Sequence, residues 1–310
     1  MAVRTEAPLA VLGACLLCAA GAHAELRTTH VAGNIYMITG AGANVAVSVG
    51  ASGVLTVDAG SAPSAQLLLA EIRKTSGSAL RYVIDTSAAP DHVGGNAALR
   101  GAGATFTGGN ATVVGGVDVG AAIVAHESTL LRMSSAGNVS VDAQPTETFY
   151  VPKYDLYFNA EPVVLMYEPG ALDDTNVAVH FRRSDVIVTG DVLRMDGYPV
   201  IDLAHGGSID GVLAALNSFV DLAVSDTLAE GGTLLIPGHG RICDEGDLVR
   251  YRDMITIIRD RIEALKKAGK TVAQVKAAKP TLDYDSRWGA TTGPWTTDKF
   301  IDAVYASVGH

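Results

Sequence analysis

Four side chains able to hold a divalent cation stand at the ends of apolar runs in this chain. Asp91 and His92 are adjacent, just after the run Arg81 to Asp85 gives way to a helix pattern. Asp191 follows Thr189-Gly190 at the end of a second run, and His239 lies between Gly238 and Gly240 after a third, Thr233 to Ile236. Two imidazoles and two carboxylates form an N₂O₂ donor set that zinc accepts at about 2.0–2.2 Å. Iron or manganese would also fit, because this mixture selects weakly among such ions. One ion so held can polarise a carbonyl and lower the pKa of a water, which is the chemistry of hydrolysis. With all four donors bound, a zinc ion has an open position only if it expands to five-coordinate or Asp191 lets go. Each residue also has a plain structural reading. An acid at a helix start caps amides and complements the helix dipole, an aspartate at a strand end caps a turn, and a histidine between glycines is a surface loop residue. It is the set in register that points to a metal.

The stretch Val83-Ile84-Asp85-Thr86-Ser87-Ala88-Ala89-Pro90-Asp91-His92-Val93-Gly94-Gly95-Asn96 resembles the metallo-β-lactamase superfamily, whose signature is T-H-x-H-x-D-H followed by a Gly-Gly-Asn-like turn. The resemblance covers most of the chain. Val54 to Gly60 is similar to the family's early strand and turn, with Asp58 in the acidic position. Thr189-Gly190-Asp191 matches the strand end that gives a bridging aspartate, and Ile236-Pro237-Gly238-His239-Gly240 matches the last metal histidine. Gly170-Ala171-Leu172-Asp173-Asp174-Thr175-Asn176 stands in place of an A-H-T-D-G-D loop. The resemblance implies two metal sites. The three histidines of the first are represented by Ser87, Ala89 and Leu172, whereas Asp91, His92, His239 and Asp191 match the ligands of the second.

Other candidates carry less. Ser87 with His92 as base would be a nucleophile pair, yet no oxyanion donor or third group accompanies it. His126, between a strand and a helix, reads as structural. His205, in Asp202-Leu203-Ala204-His205-Gly206-Gly207-Ser208 ahead of a helix, is a possible substrate contact at the mouth of the site.

The elements that must position these groups are short. Asn34 to Thr39, Asn44 to Val49 and Gly53 to Val57 read as a meander of strands, followed by a helix from Ser64 to Thr75 and the strand Arg81 to Asp85. The pattern repeats with strands at Leu156 to Asn159, Val163 to Tyr167, Asn176 to Phe181 and Asp185 to Thr189. A helix from Ser208 to Leu222 comes next, then strand Thr233 to Ile236 and a long helix from Glu245 to Ala268. Val272 to Val308 reads as two short helices around a loop holding Trp288 and Trp295. Two sets of strands with helices outside predict an α/β fold, a four-layer αββα sandwich, with residues 25–310 as one domain.

Residues 1–24 read as a secretory leader: Arg4, an apolar run from Leu9 to Gly21, and Ala22-His23-Ala24 as a cleavage site. The alternative takes Leu12-Gly13-Ala14-Cys15 as a lipoprotein box, with Cys15 lipidated and anchoring the chain in the envelope. The run is shorter than the ~20 residues that span a bilayer. Cleavage after Ala24 predicts a periplasmic or secreted chain with Cys243 left without an intrachain partner, whereas lipidation at Cys15 predicts a chain anchored in the envelope. A net charge of −10, with no Lys/Arg block, excludes a nucleic-acid footprint. A small-molecule substrate or ligand is the expected partner. Two functions remain open: a single-metal hydrolase of an ester, lactone, thioester or β-lactam, with Asp91 as the proton-handling group, or a catalytically silent envelope protein that keeps the fold to bind or interact.

Overall fold

The computed structural model describes residues 25–104, 120–227 and 231–309; the leader and Cys15 lie outside them. In chain order the first half forms β1 (Arg27–Ala32), β2 (Ile35–Thr39), β3 (Val45–Gly50), β4 (Gly53–Val57), α1 (Ala65–Thr75), β5 (Leu80–Ile84), α2 (Pro90–Val93), α3 (Asn96–Ala102), β6 (Ala122–His126), α4 (Glu127–Ser135) and β7 (Glu147–Phe149). The second half forms β8 (Lys153–Phe158), β9 (Glu161–Tyr167), β10 (Val177–Phe181), β11 (Val186–Arg194), α5 (Ile209–Leu222), β12 (Leu234–His239), β13 (Cys243–Asp244), α6 (Glu245–Lys267), α7 (Val272–Ala277), α8 (Asp285–Trp288) and α9 (Thr297–Ser307).

Among the described residues β1 to β7 make one sheet in sequential order, and the other runs β13-β12-β11-β10-β9-β8. The inner strands are apolar at nearly every position, and since successive side chains point to opposite faces, each sheet presents two apolar faces. Met37, Leu55, Ile84 and Val124 meet Leu165, Val179, Val188 and Ile236 between the sheets. The other face of the first sheet, with Val47, Val83 and Ile123, packs on Leu68, Ile72 and Leu99 of α1 and α3. Ile187 and Leu235 of the second sheet pack on Leu216, Phe219, Tyr251 and Ile258 of α5 and α6. Three apolar slabs between four layers are the expected αββα sandwich.

The strand pairing brings distant chemistry together. β4 pairs β5 in parallel, and β11 pairs β12 in parallel. Loops at the carboxyl ends of these strands therefore open on a common edge, where binding residues can be held by a rigid scaffold.

Three details differ from the sequence expectations. β11 continues past Thr189 to Arg194, so Asp191 lies inside a strand whose register shifts around Gly190. The tail has three helices, and Trp288 closes one of them instead of lying in a loop. β1 gives no apolar signal because it is an edge strand in which no residue is fully buried, so its Arg-Thr-Thr-His stretch is polar. No helix among the described residues is long and apolar enough to cross a membrane. Cys243 is free and buried, and burial pushes its thiol up to about 12.

One half-buried carboxyl outside the site gives a stability test. Glu168, just beyond β9, accepts a hydrogen bond from Ser218 Oγ of α5 at 2.9 Å, and burial raises its carboxyl to about 7, against the lowering effects of Ser218 and Lys153. The folded chain thus binds an extra proton between about pH 4.5 and 7, so stability falls as pH rises through that window. Glu168→Gln is expected to gain about 1–2 kcal/mol at pH 8, after allowance for partial exposure, and little at pH 4.5. Urea unfolding at the two pH values checks this; an equal effect at both would remove the cause given.

Candidate metal centre

The centre is built from loops tied to one another by backbone hydrogen bonds. Ala59 N donates to His92 O at 2.7 Å and Gly95 N to Gly60 O at 3.0 Å, clasping α2 and the start of α3 against the turn after β4. This approach requires a residue without Cβ at 95, where one would stand 2.1 Å from the Ala59 carbonyl oxygen. Across the sandwich, Asn44 N donates to Gly238 O at 2.8 Å, and Asn44 Nδ2 donates to Pro237 O at 2.8 Å and Gly240 O at 2.9 Å. Ala43 N donates to Asp91 O at 3.1 Å. The short segment before β3 therefore holds both the Asp91 and the His239 backbone. A Cβ at Gly238 would lie 2.1 Å from Asp191 Oδ1, which is why glycine precedes the histidine.

Asp91, His92 and His239 each present one ligand atom, all within 4.8 Å of one another. Asp191 joins them: its Oδ1 is 3.4 Å from His92 Nε2 and 3.5 Å from His239 Nε2, while His239 Nε2 is 3.0 Å from Asp91 Oδ2. Neighbouring donors around a four-coordinate zinc with bonds of about 2.0–2.2 Å lie roughly 3.3–3.6 Å apart, so the spacings about Asp191 Oδ1 fit such an ion. His92 Nε2 and Asp191 Oδ1 are buried and make no hydrogen bond. Two acceptors facing each other in that way call for a proton or a cation between them. The donor set thus fits one divalent metal. The His92 side chain is wholly buried, whereas Asp91 is 40% exposed, so solvent reaches the centre from the Asp91 side.

Behind the donors stands a layer that orients them. Asp58, at φ 67° just after β4, accepts from Thr86 N at 2.9 Å and from Thr86 Oγ1 at 2.8 Å, and its Oδ2 lies 2.8 Å from His92 Nδ1. A carboxylate on Nδ1 holds the proton there and turns the Nε2 lone pair toward the metal position. Arg194 Nη1 donates to Asp191 Oδ2 at 3.0 Å, so the second oxygen of Asp191 is occupied by a guanidinium. Asn96, of the Gly-Gly-Asn turn, donates to Asp85 Oδ2 at 2.9 Å, and burial drives the Asp85 carboxyl well above its usual range.

These charges set the protonation states. Burial alone would push the His92 imidazole down, but Asp58 and Asp191 overcome it and hold His92 well above the ordinary histidine value. Burial would raise Asp191; the His92 imidazolium, Arg194 and His239 instead hold it far below the carboxylate range. The His239 hydrogen bond lowers Asp91. Without an ion, the proton of His92 takes the place of the cation between Asp58 and Asp191.

Ser87, Ala89 and Leu172 also come together. They line one cleft of about 290 Å³ with Asp191, Arg132, Asp173 and Asp202. Arg132 pairs with Asp173 at 3.1 Å and with Asp174, fixing the wall opposite α2. Ser87 Oγ accepts from Ala89 N, and both ring nitrogens of His92 face other groups, so no base serves Ser87. His126 has the structural place expected: it caps α4 through Ser128 and stacks on Tyr167 with ring centroids 3.6 Å apart. His205 is exposed and paired with Asp202; Asp202, not His205, lines the cleft.

Among solved structures the chain is similar to DIM-1 metallo-β-lactamase, with 20% identity, TM-score 0.57, and coverage of 75% of this chain and 97% of that one. A metallo-β-lactamase from Pontibacter korlensis gives 14% identity, TM-score 0.57, and coverage of 75% and 99%. This is the metallo-β-lactamase fold. A double mutant of the sec-alkyl sulfatase PisA1 shares it over 90% of this chain and 50% of its own length, with TM-score 0.64 and 13% identity. No family model and no curated protein matches the chain. Within the metallo-β-lactamase fold, Asn44, Thr86 and Arg194 are site residues that sequence reasoning missed. Asn44 is recognisable only once segments nearly two hundred residues apart are seen to touch, Thr86 only through its contact with Asp58, and Arg194 only through the local geometry of β11.

Proposed function

We propose that the chain is a hydrolase working with a single divalent cation, zinc or alternatively iron or manganese, held by Asp91, His92, Asp191 and His239. The observation that carries this reading is the pair of buried atoms without hydrogen-bond partners, His92 Nε2 and Asp191 Oδ1, with His239 Nε2 beside the same oxygen. The cation supplies Lewis acidity, polarising a carbonyl and lowering the pKa of a water. Asp191 serves that one ion because Arg194 occupies its other oxygen, and Ser87, Ala89 and Leu172 offer no imidazole to a second. Asp91, ionised and partly exposed, accepts the proton as the water oxygen bonds to the carbonyl carbon. It returns that proton to the alcohol, thiol or amine as the bond to the leaving group breaks. A carboxylate that is also a ligand is a weak base, so slow turnover is expected.

The substrate class proposed is an ester, lactone, thioester or β-lactam, and the place of action is the periplasm or outside the cell, on the pattern of the leader. Protein purified without chelators is expected to carry close to one equivalent of metal by elemental analysis. A metal-free preparation that also refuses added zinc would sink the reading. One observation favours a silent binding module instead: the Asp91–His239 hydrogen bond at 3.0 Å and the Asp58–His92–Asp191 chain satisfy much of the site without any ion. Turnover of a panel of lactams, lactones and thioesters, abolished by Asp91→Ala, would eliminate that second reading.

A further inference from the structure

The metal cleft does not end at Asp202. Val200 and Asp202 are walls of the cleft and also of a second, more open groove of about 630 Å³. Its other walls are Leu203, and Trp295, Ala303 and Ala306 from the C-terminal tail. Two large apolar side chains here stay exposed, Val200 at 36% and Leu203 at 42%. The charged groups at the rim are turned to other tasks: Lys299 Nζ donates to Pro294 O at 2.7 Å, and Asp302 pairs with Lys276 at 2.7 Å. What faces the groove is therefore mainly apolar surface, continuous through Val200 with the place where the hydrolysable group would lie. α9 is anchored by its opposite side, Phe300, Ile301 and Val304, in the helix-covered core. Its Ala303 and Ala306 keep the groove open where larger side chains would fill it.

We propose that this groove receives the apolar chain of an amphiphilic substrate whose ester, thioester or lactone carbonyl sits in the metal cleft. The head-group part rests on the hydrolase reading above; the binding of the chain does not. An alkyl chain matches the groove because the wall is mainly apolar and open on one side. Each methylene transferred out of water strengthens binding by up to about fourfold when fully covered, and roughly twofold in a half-open groove.

Two measurements test the proposal. Hydrolysis of para-nitrophenyl acetate, butyrate, hexanoate and octanoate is expected to show kcat/KM rising about twofold per methylene. Ala306→Trp, which fills the groove from a surface helix position, should cut the octanoate rate at least fivefold and leave the acetate rate within twofold. Independently, 1-octanol should perturb tryptophan fluorescence at concentrations at least tenfold below ethanol, in metal-free wild-type protein and in His239→Ala alike. Octanol binding without any ester turnover would support the groove and overturn the hydrolase reading. Ester turnover with no dependence on chain length, and octanol no better than ethanol, would overturn the groove alone. Circular dichroism of Ala306→Trp establishes that the variant is folded before its rates are compared.

Discussion

His239→Ala is expected to lose the bound metal, and with it all hydrolysis, while the fold melts within a few degrees of the parent. The imidazole is the donor that faces both carboxylates, Asp91 Oδ2 at 3.0 Å and Asp191 Oδ1 at 3.5 Å. Its removal leaves three donors, and the two carboxylates then face each other with less positive charge between them. Loss of an outer partner of a ligand already costs 10–100-fold in metal affinity, so loss of a ligand should exceed about a hundredfold. The stability cost is small by contrast. The side chain is 19% exposed, and its one hydrogen bond is to a carboxylate that water can reach, so about 1 kcal/mol is at stake. Metal titration and thermal melting of the same preparation separate the two effects. A variant that keeps one equivalent of zinc would show that His239 is not a ligand, and a variant that fails to fold would show that the loop depends on it structurally.

The contrast between metal and stability follows from how the site is divided. On the first sheet His92 is buried in an acid–threonine–imidazole network while Asp91 faces solvent; on the second sheet Asp191 and His239 are both only slightly exposed. The two halves are joined by Asn44, whose amide spans the carbonyls on either side of Gly238-His239, and by Val177 N donating to Thr86 O at 2.8 Å.

Much of this was legible in the sequence, for reasons that can be named. The inner strands of the first sheet read as short continuous apolar runs because both of their faces are covered, and the histidine and aspartates follow apolar runs because strand ends are where a sandwich exposes its loops. Asp58 could be placed only through the family resemblance, since an acid after a strand has no pattern of its own. Arg194 was not legible at all. Its reach back to Asp191 depends on the register shifts of β11 around Gly190, and nothing in Asp191-Val192-Leu193-Arg194 announces them. The helices of the tail were undercounted because α8 has four residues, too few for a helical period to emerge. The groove between the tail and Val200 joins segments about a hundred residues apart, so no local pattern carries it.

The largest effect on the folded state is expected at Asp58, where two substitutions should give different results. Asp58→Ala removes every acceptor at once. Thr86 N and Thr86 Oγ1 lose their partner in a buried place, and His92, whose charged form Asp58 and Asp191 together sustain, loses the closer of the two. Unsatisfied buried donors cost about 1–3 kcal/mol each, and breaking one side of a buried charge pair about 3–5 kcal/mol. The total approaches the whole stability of an ordinary domain, about 5–15 kcal/mol, so little folded protein is expected. Asp58→Asn acts otherwise. Asparagine tolerates the positive φ of 67°, and its carbonyl oxygen can still accept from Thr86 N. Its amide, however, can only donate toward His92 Nδ1. The imidazole must then carry its proton on Nε2, pointing at Asp191 Oδ1, and the lone pair that would bind the cation is gone. Asp58→Asn is therefore expected to fold, with a loss of about 1–2 kcal/mol, yet to bind zinc at least tenfold more weakly. Chemical denaturation and zinc titration of both variants read the two outcomes. Parental zinc affinity in a folded Asp58→Asn protein would mean that Asp58 stabilises the fold without orienting His92.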